Sequence, residues 1–189
     1  MSPIRVNAGK AKGKKLKLVP GDSTRPITDR VKESLFNIIR LDLPESNFLD
    51  LFAGTGSVGI EALSQGAGFV RFIELDRKAI KVLRENLAFT GLEVGAEILH
   101  LDAFALLKRN PDRVFDYIYI APPQYKGMWK TALEELDRQS SWLVEDGWII
   151  VQIDPREYEK ISLANFEEFD QRKYGNTLLV FYEREYDNE

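Results

Sequence analysis

From residue 47 the chain alternates between short runs of β-branched and aromatic residues and longer amphipathic runs, and this alternation narrows the possible folds more than any other feature. "FLDLF", "FVRFIE", "AEILHL", "FDYIYI" and "WIIVQI" read as strands. Between them "GSVGIEALSQ", "RKAIKVLRENLAFT", "AFALLKR" and "MWKTALEELDRQ" place apolar residues at helical spacing. Such repetition predicts an α/β fold with a doubly wound, mostly parallel, Rossmann-like sheet and helices on both faces. Right-handed crossovers then put a ligand site outside the carboxyl ends of the central strands. Two closing runs, "NFEEFDQRKY" and "TLLVFYERE", joined by "YGN", predict a C-terminal antiparallel hairpin and a seven-stranded sheet.

Residues 1–27 read as a basic arm on a single domain spanning 28–189. In the arm, "IRVNA" and "KKLKLVP" flank the turn "GKAKG" as a small β-hairpin. A helix follows in "STRPITDRVKESLFNIIR", capped by Thr28 or Asp29, with Val31, Leu35 and Ile38/Ile39 on one face. Arg5, Lys10, Lys12, Lys14, Lys15 and Lys17 give residues 1–20 a side-chain charge of +6, so a net charge of −4 leaves −10 for the rest. A basic patch on an acidic body suits a polyanion. A solvated hairpin kept soluble by lysine explains the same charges, and charge alone does not separate the two.

With 189 residues, 44% of them hydrophobic, one sizeable core is expected. The absence of cysteine excludes disulfides, thiolate metal sites and a cysteine nucleophile, and a single histidine, His100, excludes a multi-histidine metal site. No run is long enough to span a membrane, and the N-terminus lacks the apolar core of a signal peptide. A cytoplasmic protein without metal or membrane contact is the expectation.

"DLFAGTGSVG" joins the first sheet strand to a helix, and Gly54, Gly56 and Gly59 spell G-x-G-x-x-G. Glu74 lies 20 residues past Gly54, at the end of the next strand. Glycines there let backbone approach a nucleoside-bearing ligand, and the second strand delivers a carboxylate to ribose hydroxyls. Alone the glycines could form only a tight turn; with strand, helix and acid in register they favour an adenosine-type cofactor. NAD and S-adenosylmethionine sites share this geometry. Asp50 would crowd a pyrophosphate but suits an ammonium, and Asp102, ending the third strand, is placed to accept from an adenine amino group. Three acids at adjacent strand ends favour S-adenosyl-L-methionine and leave a dehydrogenase as a distant rival.

"YIAPPQYKG", residues 119–127, ends the fourth strand on two prolines, which lack the N–H that a sheet interior needs. The loop resembles the (D/N)-P-P-(Y/F) motif of methyltransferases acting on amino groups of nucleic-acid bases. Together with "GKAKGKKLKLVP", "TRPITDRVKESLFNII", "LDLFAGTGSVGIEALSQGA" and "KYGNTLLVFYERE", it makes most of the chain similar to the RsmD family. That family methylates the exocyclic N2 of a guanine in small-subunit (16S) ribosomal RNA. The resemblance implies a methyltransferase sheet with S-adenosylmethionine held by Asp50, Gly54, Gly56, Glu74 and Asp102. Phe52, Thr55, Leu75 and Ala103 flank these positions, and "TRPITDR" folds over cofactor and base with Arg25 and Thr28. It also implies RNA contacts from Arg5, Lys10, Lys12, Lys14, Lys15 and Arg30. The partner would be ribosomal RNA or a 30S assembly intermediate, met by a monomer.

In the family, acceptors on the amine protons localise the nitrogen lone pair while the aromatic residue stacks on the extruded base. Ala121 replaces the acceptor side chain here, Gln124 replaces the aromatic, and Tyr125 follows one position late; Pro122 and Pro123 are retained. The expectation is that the Pro122 carbonyl accepts, Gln124 supplies a replacement amide oxygen and Tyr125 stacks on the base. The alternative has Gln124 facing solvent and Tyr125 packed on Trp129. Lack of cysteine argues against C5 methylation of a pyrimidine. A catalytically weakened RNA-binding assembly factor and an adenine-N6 methyltransferase remain as rival readings. His100 reads as a sheet-end side chain, and Trp129, Trp142 and Trp148 as core or sheet cover.

Overall fold

Thr28 holds an extended conformation and accepts the Val31 amide hydrogen at Oγ1, so α1 starts at Asp29 and runs to Ile39. The computed structural model describes residues 3–21 and 26–186. Strand and helix then alternate as β1 (Asn47–Asp50), α2 (Ser57–Ser64), β2 (Phe69–Glu74), α3 (Arg77–Thr90) and β3 (Ala96–His100). They continue with α4 (Ala103–Leu107), β4 (Phe115–Ile120), α5 (Met128–Arg138), β5 (Leu143–Ile153), β6 (Phe166–Tyr174) and β7 (Thr177–Arg184). The seven strands lie in the order β3-β2-β1-β4-β5-β7-β6. The first five are parallel, whereas β7 pairs antiparallel with both β5 and β6. This is the doubly wound sheet with the C-terminal hairpin that the alternation predicts, and the chain order reverses between β1 and β4.

One sheet face is covered by α1, α2 and α3, through Leu35, Phe36, Ile60 and Leu83. The other is covered by α4 and α5, through Leu106, Leu107, Trp129 and Leu133. Trp129 and Trp142 are buried, and half-buried Trp148 meets the Tyr117 and Phe181 rings edge-on.

Two element predictions need correction. The paired strands expected in the arm reduce to one bridge, Arg5 to Lys15, flanked by backbone bonds from Val6 to Lys14 and from Leu16 to Ile4. Beyond Val6 the backbone donors go elsewhere: Asn7 and Ala8 donate to the Glu61 carboxylate, and Lys10 to the Ser64 carbonyl. Helix α2, not a second strand, receives them. Strand β5 also starts at Leu143 rather than Trp148, because Leu143 pairs with Phe115 before a register shift that leads to the Tyr117–Trp148 pair. Residues 143–147, "LVEDG", form the irregular first part of β5.

The arm is anchored inside the molecule. Ile4, Val6, Ala11 and Leu16 belong to the same apolar cluster as α1 and α2. Beneath them Lys32 Nζ lies 3.2 Å from Glu61 Oε2, both side chains having no solvent exposure. The ammonium also donates to the Arg5 carbonyl at 2.6 Å and to Ser57 Oγ at 3.1 Å. Burial pulls the Lys32 pKa down, and Glu61 opposes that shift.

Candidate active site

A cleft of about 780 Å³ opens at the carboxyl ends of β1, β2, β4 and β5 and at the loop after β3, within the size range of small-ligand sites. Its floor begins where β1 ends. Asp50 is 1% exposed there, and its Oδ2 accepts the Gly59 amide hydrogen at 3.1 Å. Burial pushes its carboxyl pKa up to about 7, with the Gly59 hydrogen bond opposing the shift and the charge of Glu74 adding to it.

The loop that follows turns through Gly54 and Gly56, at φ 55° and 80°. Open space lies where a Cβ of residue 54 would project, so a ligand can approach the backbone. Gly59 serves packing instead, since a Cβ there would come within 2.2 Å of the Phe72 ring. Glu74 closes the loop: Oε2 accepts from Gly54 N–H at 2.8 Å, and Oε1 accepts from the amides of Leu75 and Asp76, both at 2.8 Å. Asp102 caps α4 by accepting from Ala105 N–H at 2.9 Å.

The cleft brings together Asp50, Phe52, Gly54, Thr55, Glu74 and Leu75 with Asp102, Ala103, Ala121, Pro122, Pro123 and Gln124. Gly56 is buried beneath this wall as the cap of α2. Thr28 is exposed, its hydroxyl occupied by the helix cap, and Arg25 lies outside the described residues. The neighbouring Pro26 and Ile27 do line the cleft, so that segment contributes a wall.

Tyr125 does not pack on buried Trp129, the alternative that the sequence left open. At φ 60° and 58% exposed, it donates its hydroxyl to Asp154 Oδ2 at 2.7 Å and its amide to Glu157 Oε1 at 2.7 Å. Arg156 donates to the tyrosine oxygen and lies 5.6 Å from its ring centroid. A 3-10 turn (Pro155–Glu157) after β5 therefore clasps the proline loop, and Trp129 sits in the core. Arg156 and the tyrosine hydroxyl together hold the Asp154 carboxyl well below the usual carboxylate range.

Sequence reading missed several lining residues. Val19, Pro20 and Gly21 of the arm form one wall, and Asp76 and Lys78 stand at the start of α3. Gln152 on β5 accepts the Tyr119 hydroxyl proton, and both residues line the cleft. Only the register of two distant strands brings them together, which local pattern does not reveal. His100, by contrast, is an exposed sheet-end side chain 3.0 Å from the Leu75 carbonyl, as expected.

Three of the arm's cations are engaged inside the molecule. Arg5 lies 3.7 Å from Asp29, Lys17 2.7 Å from Glu85, and Lys14 donates to the Phe89 carbonyl at 3.0 Å. Lys10, Lys12 and Lys15 are exposed, as are Arg30 and the α3 residues Arg77, Lys78, Lys81 and Arg84. Among the described residues, no ion pair joins Lys10, Lys12, Lys15 or these four α3 cations to an acid.

Comparison with known proteins is consistent with this geometry. Residues 4–183 match the family model described as conserved hypothetical protein 95. The chain is 37% identical to YlbH of Bacillus subtilis over 183 residues, covering 96% of this chain and 99% of that protein. It is 31% identical over 185 residues to ribosomal RNA small subunit methyltransferase D of Escherichia coli, covering 96% and 90%. The solved structure of yhhF from Escherichia coli superposes with a TM-score of 0.86 at 29% identity, covering 97% of this chain and 99% of that one.

Proposed function

The chain belongs to the RsmD family, the one the conserved hypothetical protein 95 model describes, and from that membership we propose that it transfers a methyl group from S-adenosylmethionine to the exocyclic N2 of a guanine in small-subunit ribosomal RNA. The observation that carries the reading is one cleft joining a buried acid, a glycine loop clamped by Glu74 and a strand that ends on two prolines.

The residues present fit the cofactor. Asp50 is buried with its pKa pushed up to about 7, so a neighbouring ammonium relieves the cost of ionising it. Gly54 leaves room for backbone approach, and Glu74 and Asp102 line the same cleft as acceptors suited to ribose hydroxyls and an adenine amine. When bound, the cofactor's sulfonium supplies an activated methyl group. Pro122 and Pro123 offer carbonyl acceptors without competing N–H donors. The Pro122 carbonyl would accept a hydrogen bond from one N–H of the target amine, which keeps the nitrogen lone pair out of the base ring and turned toward the methyl, and the proton shed by the methylated nitrogen leaves to solvent. Orientation and exclusion of water do the remaining work, without a covalent enzyme intermediate.

The arm lies along α3: Lys17 N–H donates to Asn86, and Val19 clusters with Ala79 and Val82. Val19–Gly21 and Lys78 line the cleft together, so the arm leads into it, whereas Arg77, Lys81 and Arg84 line a separate groove with His100. RNA phosphates following that track would deliver a base to the proline loop.

A tritium-transfer assay on small subunits lacking the modification, followed by nucleoside analysis, tests the reading. N2-methylguanosine is expected. N6-methyladenosine, or transfer to DNA but not to subunits, would overturn it. Ala121 favours a second reading, an RNA-binding assembly factor with weakened catalysis, which calorimetric cofactor binding without any transfer would support.

A further inference from the structure

Ala121 leaves β4 without the side-chain acceptor that the amino-methyltransferase motif places there, and the sheet register supplies a neighbour. Strands β4 and β5 run parallel, with Tyr119 opposite Ile150 and Ile120 opposite Val151. One further step sets Ala121 beside Gln152. Side chains at paired positions leave a sheet on the same face, and every second residue returns to it. Tyr119, Ala121 and Gln152 therefore share a face, as their common presence in the cleft wall and the Tyr119–Gln152 hydrogen bond confirm.

We propose that Gln152 supplies from β5 the acceptor that Ala121 has removed from β4, its Oε1 taking a second N–H of the target amine. The proposal rests on the amino-methyltransferase reading above. An amide oxygen accepts two hydrogen bonds. Tyr119 fills one site and fixes the amide's orientation, leaving the other for a ligand. That donor persists at every working pH, because burial pushes the Tyr119 hydroxyl pKa well above its ordinary value, and the charge of Asp50 adds to the shift. Gln124 is a poorer candidate for this role, being exposed on a loop beyond the strand, where no hydrogen bond among the described residues orients its amide. Gln152 is half-buried on a strand paired on both sides. Alanine at position 121 thus costs the site an acceptor on one strand but not on its neighbour.

The experiment compares parent, Gln152→Ala and Gln152→Met, the second keeping the volume while removing the acceptor. Single-turnover transfer to unmodified small subunits should fall roughly 5- to 150-fold, the worth of one lost hydrogen bond. Calorimetric affinity for S-adenosylmethionine should stay within about twofold, since the amide acts on the base. Ala121→Asn placed in the Gln152→Ala background should restore most of the rate. A binding readout without cofactor accompanies these: a short RNA with central guanosine should outcompete its inosine counterpart on the parent, inosine lacking the N2 amine, and the preference should shrink in both Gln152 variants to what the Pro122 carbonyl alone supplies. Parent-like rates in folded, cofactor-binding Gln152→Ala and Gln152→Met would overturn the proposal and leave the proposed function standing. A parent that transfers no methyl at all would instead overturn the function, and the proposal with it.

Discussion

Asp50 carries a conflict that the ammonium of a bound ligand would resolve. Its folded pKa of about 7 stands above the unfolded value near 3.8, so the native state holds a proton that the unfolded chain releases. Its contribution to stability is therefore intact below pH 4 and is lost as pH rises through 7. Asp50→Asn should raise the melting temperature of the cofactor-free protein at pH 8, with the gain shrinking to nothing by pH 4; thermal melts across that range are the check. Binding should show the opposite dependence. An ammonium needs the carboxylate, so affinity for S-adenosylmethionine should fall about tenfold per unit below pH 7, with proton release visible in calorimetry across buffers of different ionisation enthalpy. In Asp50→Asn that pH dependence should disappear along with most of the affinity. One substitution that stabilises the protein and disables the site is the pattern expected of a residue held for function.

At the scale of elements, the contacts of α1 and α2 explain the "RVKES" stretch, whose role its local pattern does not disclose. Lys32 joins α1 to α2 through Glu61 and Ser57, and joins both to the arm through the Arg5 carbonyl. Glu61 also receives the amides of Asn7 and Ala8. Removing one partner of such a buried pair costs about 3–5 kcal/mol, so Glu61→Ala should lower the urea midpoint steeply. The Lys32→Met, Glu61→Leu double variant should recover much of the loss by leaving no unpaired charge, although the arm amides still lose their acceptor. Contacts across such sequence distances mark the limit of what the sequence discloses. The Thr28 cap, the apolar spacing of "RKAIKVLRENLAFT" and Gly54 placed α1, α3 and the glycine loop correctly, because each acts on its own neighbours. Asp50 and Glu74 were legible as strand-end acids for the same reason, whereas Asp102, expected to end the third strand, lies past His100 and caps α4. The arm's backbone donors, the irregular start of β5 and the placement of Gln152 were not, since each depends on a partner from another element.

For the whole molecule, the question is whether the basic arm is a detachable RNA handle or part of the enzyme body. Its charges point outward, but Ile4, Val6, Ala11 and Leu16 are core residues, and Val19–Gly21 wall the cleft. Two ways of disabling the arm should therefore give different results. Replacing Lys10, Lys12 and Lys15 with glutamine removes exposed charge and leaves every apolar contact in place. Melting temperature and cofactor affinity should hold, RNA affinity should drop, and the slope of log affinity against log salt should become shallower by roughly 0.7–0.9 for each lost phosphate contact. Deleting residues 1–20 instead strips buried apolar surface, worth about 25 cal/mol per Å², and leaves Lys32 and Glu61 without their arm partners. Such a truncation should lose several kcal/mol of stability and bind S-adenosylmethionine weakly even when no RNA is present. Calorimetry on the truncated protein decides between the two views: parent-like cofactor affinity would make the arm a separable handle, whereas its loss would show that RNA grip and cofactor cleft are built from one continuous body.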